Sequence, residues 1–244
     1  MTPARSRATA PLLDPEALSL VRADAIALHA TVRLTGPQPT GSPKFPQDRL
    51  AQLFSEVGKF GFDSFTLLPI GAQLATLPSR QAIVALESTL LTEQFAISGS
   101  SLKPFSELAT ELFDRVQSVL GVEGYRSMQL KLVAIWPLHG VDAMQFVKNA
   151  VKVKETASLS LGVDFDVAGV RFHKGKLGQQ EEWNLKIEPL LQQPDKLWIE
   201  LDLINTKAFR DGNAIAERFD AMERFLRTQV KDAVFALAGN RKGT

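Results

Sequence analysis

The chain has 244 residues, of which 45% are hydrophobic and 23% are charged, and its 28 basic and 27 acidic side chains give a net charge of +1. It contains no cysteine, which excludes disulfide frameworks, thiolate zinc sites, iron–sulfur clusters and cysteine nucleophiles. The balanced charge argues against a protein that binds polyanions by bulk charge, because such domains usually carry a clear basic excess.

The N-terminal segment carries Arg5 and Arg7 but has no apolar core behind them, so it does not have the pattern of a secretory signal. No apolar run approaches the length of about 18 residues that a membrane-spanning helix needs. We therefore expect no membrane span, a cytoplasmic protein and a mobile N-terminal segment over residues 1–22.

Hydrophobic periodicity predicts a first unit over residues 23–122. Alternating apolar residues indicate strands, apolar residues at helical spacing indicate helices, and glycines and prolines separate the elements. In chain order we predict a strand at 25–34, a helix at 48–59, four strands at 63–70, 72–77, 81–88 and 92–98, and a helix at 103–120.

A second unit, over residues 123–244, repeats this order of elements. We predict a strand at 125–138, a helix at 141–151, four strands at 158–166, 167–174, 182–188 and 196–205, and a long helix at 213–237. Corresponding elements lie about 95 to 110 residues apart in a pattern that repeats without residue identity. The predicted fold class is α+β, with two tandem β-α-β4-α units that form antiparallel sheets covered on one face by helices.

Two resemblances accompany this pattern. The order strand, helix, four strands, helix, given twice, resembles the duplicated fold of the TATA-binding-protein-like superfamily, which implies one curved sheet beneath the helices. The C-terminal segments Leu197 to Thr206 and Glu217 to Leu237 resemble those of an uncharacterised bacterial family of stand-alone proteins of about this length. No established activity comes with that family, and the superfamily fold serves several functions.

Three histidines, His29, His139 and His173, fall in three different elements, and no two share the spacing at which side chains of one element converge on a metal. His139 follows a strand at a turn, where sites are often built. A structural or surface role for each histidine is the alternative. The sequence also lacks phosphate-loop, dinucleotide-binding and nucleophile-elbow motifs, and we predict no catalytic residue, no metal ligand and no cofactor.

Two carboxylate pairs, Asp164 with Asp166 and Glu200 with Asp202, lie two residues apart in predicted strands. Residues at this spacing point to the same face of a sheet. Such a pair can bind a divalent cation or raise the pKa of one carboxyl group. The alternative is that the acids face water while the apolar residues between them face the core.

Two further sets of residues are candidates for binding. A local basic stretch predicts a nucleic-acid site, with solvated cations as the alternative. A wide apolar stripe on the last helix predicts an interface with a protein partner. The basic set is Lys148, Lys152, Lys154, Arg171, Lys174 and Lys176, and the interface set is Phe219, Phe225 and Phe235.

The sequence leaves three functions open. The first is a non-enzymatic interaction protein, either a homo-oligomer or a subunit of a larger bacterial complex, which the duplicated scaffold and missing catalytic motifs favour. The second is a nucleic-acid-binding protein that uses the curved sheet or the basic region from Lys148 to Lys176. The third is a small-ligand binder or enzyme with a site between the two halves.

Overall fold

In a computed structural model, the described parts of the chain are residues 26–36, 45–95, 102–138, 140–151, 169–175 and 180–239. The strands are β1 (Ile26–Thr35), β2 (Ser64–Leu68), β3 (Gly71–Thr76), β4 (Arg80–Ala85), β5 (Ser88–Gln94), β6 (Ser127–Pro137), β7 (Val170–Lys174), β8 (Glu181–Pro189) and β9 (Lys196–Asn205). The helices are α1 (Gln47–Val57), α2 (Lys103–Leu120), α3 (Ala143–Val151), α4 (Asn213–Phe225) and α5 (Lys231–Gly239). A π-helical segment, Leu226–Val230, joins α4 to α5.

The nine strands form one antiparallel sheet in the order β2, β3, β4, β5, β1, β6, β9, β8, β7. Each half of the chain supplies one side of this sheet, and the halves meet where β1 pairs with β6. Outward from this centre, the order is β1, β5, β4, β3, β2 on one side and β6, β9, β8, β7 on the other.

Burial alternates along the strands. In β9, Leu197, Ile199, Leu201 and Leu203 are fully buried, whereas the residues between them are partly exposed. Successive strand residues point to opposite faces, so β9 presents one apolar face. This face packs against the helices in one hydrophobic core, which includes Leu53 from α1. We call it the helix face, and we call the face with Lys131, Glu200 and Asp202 the far face.

Local sequence explains the ends of α2. Pro104 occupies the first turn, where its missing N–H would have no intrahelical acceptor in any case. Gly121 ends the helix with a φ of 71°, a left-handed conformation that costs glycine little, and its N–H donates to the carbonyl of Gln117. The predicted bounds of this helix, 103–120, are confirmed.

The predicted α+β class is confirmed, and the sheet is antiparallel. The first half has the predicted order of strand, helix, four strands and helix. The fourth strand of that half starts earlier than predicted, at Ser88, because the polar step before Thr92 belongs to the strand, with Thr89 only 2% exposed. In the second half, the predicted strand at 158–166 lies outside the described residues, as does the segment 1–22. No helix among the described residues is long and apolar enough to cross a membrane.

Candidate functional site

The described members of the basic set are distributed over different surfaces. Lys148 lies on α3, and Arg171 and Lys174 lie on β7. Arg171 pairs with Lys186 on the far face, whereas Lys174 pairs with Trp183 on the helix face. Residues three apart in a strand point to opposite faces, so these two cations do not form one patch. Lys152, Lys154 and Lys176 lie outside the described residues.

The predicted interface rings differ in exposure. Phe219 is 0% exposed and meets Phe105 of α2 edge to face, with ring centroids 5.1 Å apart. Phe235 is 9% exposed and belongs to the same core. This burial corrects the interface prediction for Phe219, which has no surface left for a partner, and leaves Phe235 little. Phe225 is partly exposed.

Lys174 and Phe225, which belong to different predicted sets, line one cavity of about 200 Å³. The cavity lies on the helix face of the sheet, beside β7 and beneath the junction of α4 and α5. We call it the edge pocket. Its lining residues are Phe172, His173, Lys174, Trp183, Leu185, Leu201, Phe225, Gln229 and Ala233.

Two aromatic side chains form the firm wall of the edge pocket. Trp183 and Phe225 lie with ring centroids 5.0 Å apart, and the Trp183 indole Nε1–H donates to Glu181 Oε1 at 2.8 Å. Glu181 is itself held by Arg218 of α4, at 3.2 Å. The tryptophan is therefore fixed by packing and by a hydrogen bond, and it presents a rigid apolar surface.

The π-helical segment Leu226–Val230 contributes Gln229 to the edge pocket. Its buried residues, Leu226 and Val230, fix it to the core. Single π-helical turns inside α-helices are rare and frequently mark functional sites. On its helical side, the pocket is therefore lined by a π-helical segment that its buried residues anchor to the core.

The lining of the edge pocket contains one lysine and no acidic residue. Lys174 is exposed and forms no ion pair with any residue that the structure describes, and none of the nine lining residues is acidic. Phe172, also on β7, is 43% exposed. The pocket therefore combines an apolar interior, an exposed ring at its mouth and an unpaired cation.

Sequence reasoning missed Trp183, which lines the edge pocket and packs against Phe225. The signal was present, since tryptophan in a strand that otherwise alternates charged and apolar residues is a large apolar surface. Its importance depends on a neighbour 42 positions away in the chain, because Phe225 reaches it only through the packing of α4 on the sheet.

A second group of polar residues lies at the centre of the far face. Thr31 of β1 pairs with Lys131 of β6, which pairs with Asp202 of β9, so these three side chains form a row across the sheet. The Lys131 ammonium lies 3.0 Å from Glu200 Oε2. Asp202 Oδ1 is buried and has no hydrogen-bond partner among the described residues.

The pKa values of two residues on the far face, Asp202 and His29, are shifted from their ordinary values. Burial raises the pKa of Asp202, and the negative charge of Glu200 raises it further, while Lys131 opposes both. Burial and the charge of Lys131 lower the pKa of His29, whose Nε2 lies 3.4 Å from Thr31 Oγ1. The expectation that the Glu200 and Asp202 pair raises one pKa therefore agrees in direction, with burial as the larger cause. No cluster of three or more metal-ligating side chains occurs among the described residues.

The substitution Asp202→Asn is expected to stabilise the fold at neutral pH by less than ~1 kcal/mol, since the group is partly exposed and screened. A carboxyl whose pKa is raised in the folded state costs stability once it ionises, and this cost grows as the pH rises above its ordinary value of 3.8. The gain should therefore vanish at a pH below that value. Urea unfolding of both proteins at neutral and acidic pH measures it, and a pH-independent difference would contradict this assignment.

Of the four predicted residues that remain, His173 alone lies in the described part of the chain, and it also lines the edge pocket. His173 is exposed, with Nδ1 2.8 Å from Asn184 Oδ1 on the far face. His139, Asp164 and Asp166 lie outside the described residues. No protein-family model and no curated protein matches the chain.

Proposed function

We propose that this protein is a non-enzymatic interaction protein whose edge pocket binds an acidic peptide segment of a partner through one large apolar side chain. The observation that carries this proposal is Lys174, which has no ion-pair partner among the described residues, at the mouth of an apolar pocket whose lining residues include no acid. The apolar side chain enters the pocket, and flanking carboxylates of the partner lie near Lys174.

Pocket size favours a side chain over a metabolite. Small-molecule sites usually enclose roughly 300–1,000 Å³. The edge pocket, at about 200 Å³, is smaller than that range and suits one leucine or phenylalanine side chain.

The lining also suits a protein partner. Aromatic residues are enriched at the centres of protein interfaces, where they fill desolvated pockets. Trp183 and Phe225 form such a centre, and Phe172, at 43% exposure, is a large apolar ring that a partner would cover. An exposed ring beside a preformed pocket lowers the ordering cost of association.

Charge selects among partners. A cation with no ion-pair partner among the described residues attracts a carboxylate and repels a basic segment. Lys174 is the only lysine or arginine in the lining, and the lining contains no aspartate or glutamate. An acidic flank is therefore the complement that this rim supports.

The scaffold behind the pocket supports an internal duplication. The positions of β1, β5, β4 and β3 from the sheet centre match those of β6, β9, β8 and β7. This arrangement supports two β-α-β4-α units with the topology of the TATA-binding-protein-like superfamily.

A peptide titration tests the proposal. The probe is a fluorescein-labelled pentapeptide with one phenylalanine between two pairs of glutamates, and binding is followed by fluorescence anisotropy. We expect wild-type protein to bind it, and Phe172→Ser and Lys174→Glu each to weaken binding by about fivefold or more. The charge reversal Lys207→Glu, at an exposed position outside the pocket, is the matched control and should leave the Kd unchanged.

Companion probes identify the feature that is recognised. A peptide with serine in place of phenylalanine, and one with lysines in place of glutamates, should bind more weakly. An equal Kd for all three peptides, or for wild type and both pocket variants, would overturn the proposal. Binding of a thymidine oligonucleotide that Lys174→Glu abolishes would favour the nucleic-acid alternative, and competition by unlabelled protein would show that a second copy occupies the pocket.

A further inference from the structure

A second cavity, larger than the edge pocket, lies at the end of the sheet where the two halves of the chain are joined. It has a volume of about 450 Å³ and lies between the α2 to β6 connection and the β9 to α4 connection. The side chains that define its chemistry are Arg126, Arg210, Tyr125 and Phe209, with Glu123 also in the lining. We call it the arginine pocket.

The two connections are held together by hydrogen bonds. Tyr125 N–H donates to the Phe209 carbonyl at 2.9 Å, and Phe209 N–H donates to the Tyr125 carbonyl at 3.0 Å. The side-chain amide of Gln117 donates to the Arg210 carbonyl at 3.1 Å. The walls of the pocket are therefore fixed before any ligand arrives.

Close approach at Gly124 contributes to this fixed geometry. A Cβ at Gly124 would lie 2.9 Å from the Phe209 carbonyl oxygen and 3.0 Å from Cγ of Arg210. The glycine thus lets the Arg210 stem and the two backbone segments meet. Any larger residue at this position would push the connections apart and change the pocket.

Aromatic rings form the apolar part of the pocket. Tyr125 and Phe209 are stacked, with centroids 5.5 Å apart, and Tyr125 also meets Phe113 edge to face. Tyr125 is 4% exposed, whereas Phe209 is partly exposed. Phe209 is therefore a flat surface with a rigid backing, which suits a planar ring of a ligand.

The charged residues in the lining of the pocket are Arg126, Arg210 and Glu123. Arg126 and Arg210 are exposed and form no ion pair with any residue in the described ranges. Paired guanidiniums bind phosphate and carboxylate groups through bidentate charge-assisted hydrogen bonds. With Glu123, the lining carries an excess of one positive charge, so a monoanion or a phosphate ester is the matching ligand.

We infer that the arginine pocket binds a small organic anion that carries a phosphate or carboxylate next to a planar ring. The volume of about 450 Å³ lies within the range of small-molecule sites. The anionic group lies between Arg126 and Arg210, and the ring lies against Phe209. This site is separate from the edge pocket and does not depend on the proposed function.

Isothermal titration calorimetry with phenyl phosphate, benzoate, inorganic phosphate and benzamide tests the inference. We expect phenyl phosphate or benzoate to bind about tenfold more tightly than inorganic phosphate, and benzamide, which lacks the charge, to bind least. The preference between phenyl phosphate and benzoate identifies which anionic group the site takes.

Variants establish the location. Arg126→Gln and Arg210→Gln should each weaken binding of the preferred probe by about tenfold, since each removes a charged hydrogen-bond donor. Arg224→Gln, which removes an exposed arginine of α4, is the control and should have no effect. The inference is overturned if no probe binds at millimolar concentration, if inorganic phosphate binds as well as phenyl phosphate, or if both pocket variants bind like wild type.

Discussion

Replacing Phe219 with alanine is expected to lower the free energy of unfolding by about 3–5 kcal/mol. Phe219 is 0% exposed and lies edge to face against Phe105, which is 1% exposed. The substitution removes a buried ring and leaves a cavity between α2 and α4 that this packing cannot fill. Urea denaturation followed by circular dichroism gives the change.

A double-mutant cycle separates the ring contact from general burial. Phe105→Ala should cost a similar amount, and the two losses should be less than additive by about 0.5–1.5 kcal/mol, the usual worth of an aromatic pair. If either alanine variant fails to fold, Phe219→Leu and Phe105→Leu provide a milder cycle.

The same experiment decides between core and interface. A ring that served a partner would leave the isolated chain nearly as stable as wild type after its removal. A loss below about 0.5 kcal/mol for Phe219→Ala would therefore contradict its assignment to the core. Phe225→Ala, at the partly exposed ring of the edge pocket, should cost less than Phe219→Ala.

Sequence patterns predicted the bounds of the elements in which apolar and buried positions coincide. The strand at 196–205 alternates strictly between apolar and polar residues, and its bounds are confirmed. The helix at 103–120 carries both of its end signals, Pro104 and Gly121. In both elements, the local preference agrees with the burial that the fold imposes.

Local sequence signals did not predict the position of an element where polar residues are buried in the sheet. The step Glu87, Ser88, Thr89 has the composition of a turn, yet Thr89 is buried within β5. The turn lies at residues 86–87, before most of this polar step, because β4 ends at Ala85 and β5 begins at Ser88 in a tight hairpin. Polar composition predicted the hairpin but not the position of its turn.

The candidate sites required strand order, which no periodicity provides. Lys174 and Phe225 were predicted as members of different surfaces, and they share a pocket because β7, the last strand of the described sheet on this side, lies beneath the junction of α4 and α5. Arg126 and Arg210 face one cavity because Tyr125 and Phe209 form a bridge across the sheet end. Each site depends on contacts between distant segments of the chain.

Arg80 and Glu93 form an ion pair between two neighbouring strands, and we expect it to contribute to the free energy of unfolding. Residue Arg80 of β4 pairs with Glu93 of β5, and its Nε and Nη2 each lie 3.1 Å from a different carboxylate oxygen of Glu93. Its Nη1 donates to the Phe60 carbonyl at 2.8 Å. The side chains are only 24% and 17% exposed, so the sheet is tied to the turn after α1 by a largely desolvated cation.

Removing either Arg80 or Glu93 should destabilise the fold, because the charge of the other side chain is then left unpaired in a partly buried position. We expect Arg80→Met and Glu93→Ala each to lower the free energy of unfolding by about 2–3 kcal/mol. The double variant should lose less than the sum of the two, because neither charge remains uncompensated in it. Urea unfolding at low and high salt measures these losses, and for this pair they should change little with salt.

A second ion pair in the same chain serves as the control. Arg227 of the π-helical segment and Glu223 of α4 lie four residues apart, with Arg227 Nη2 2.8 Å from Glu223 Oε1 and with side chains 49% and 21% exposed. Pairs of this kind contribute about 0.3–0.5 kcal/mol and are screened by salt. Equal losses for Glu223→Ala and Glu93→Ala would show that the bidentate pair in the sheet contributes no more than a surface pair. A large loss for Glu93→Ala alone would assign the difference to desolvation and to the fixed geometry that β4 and β5 impose on their facing side chains.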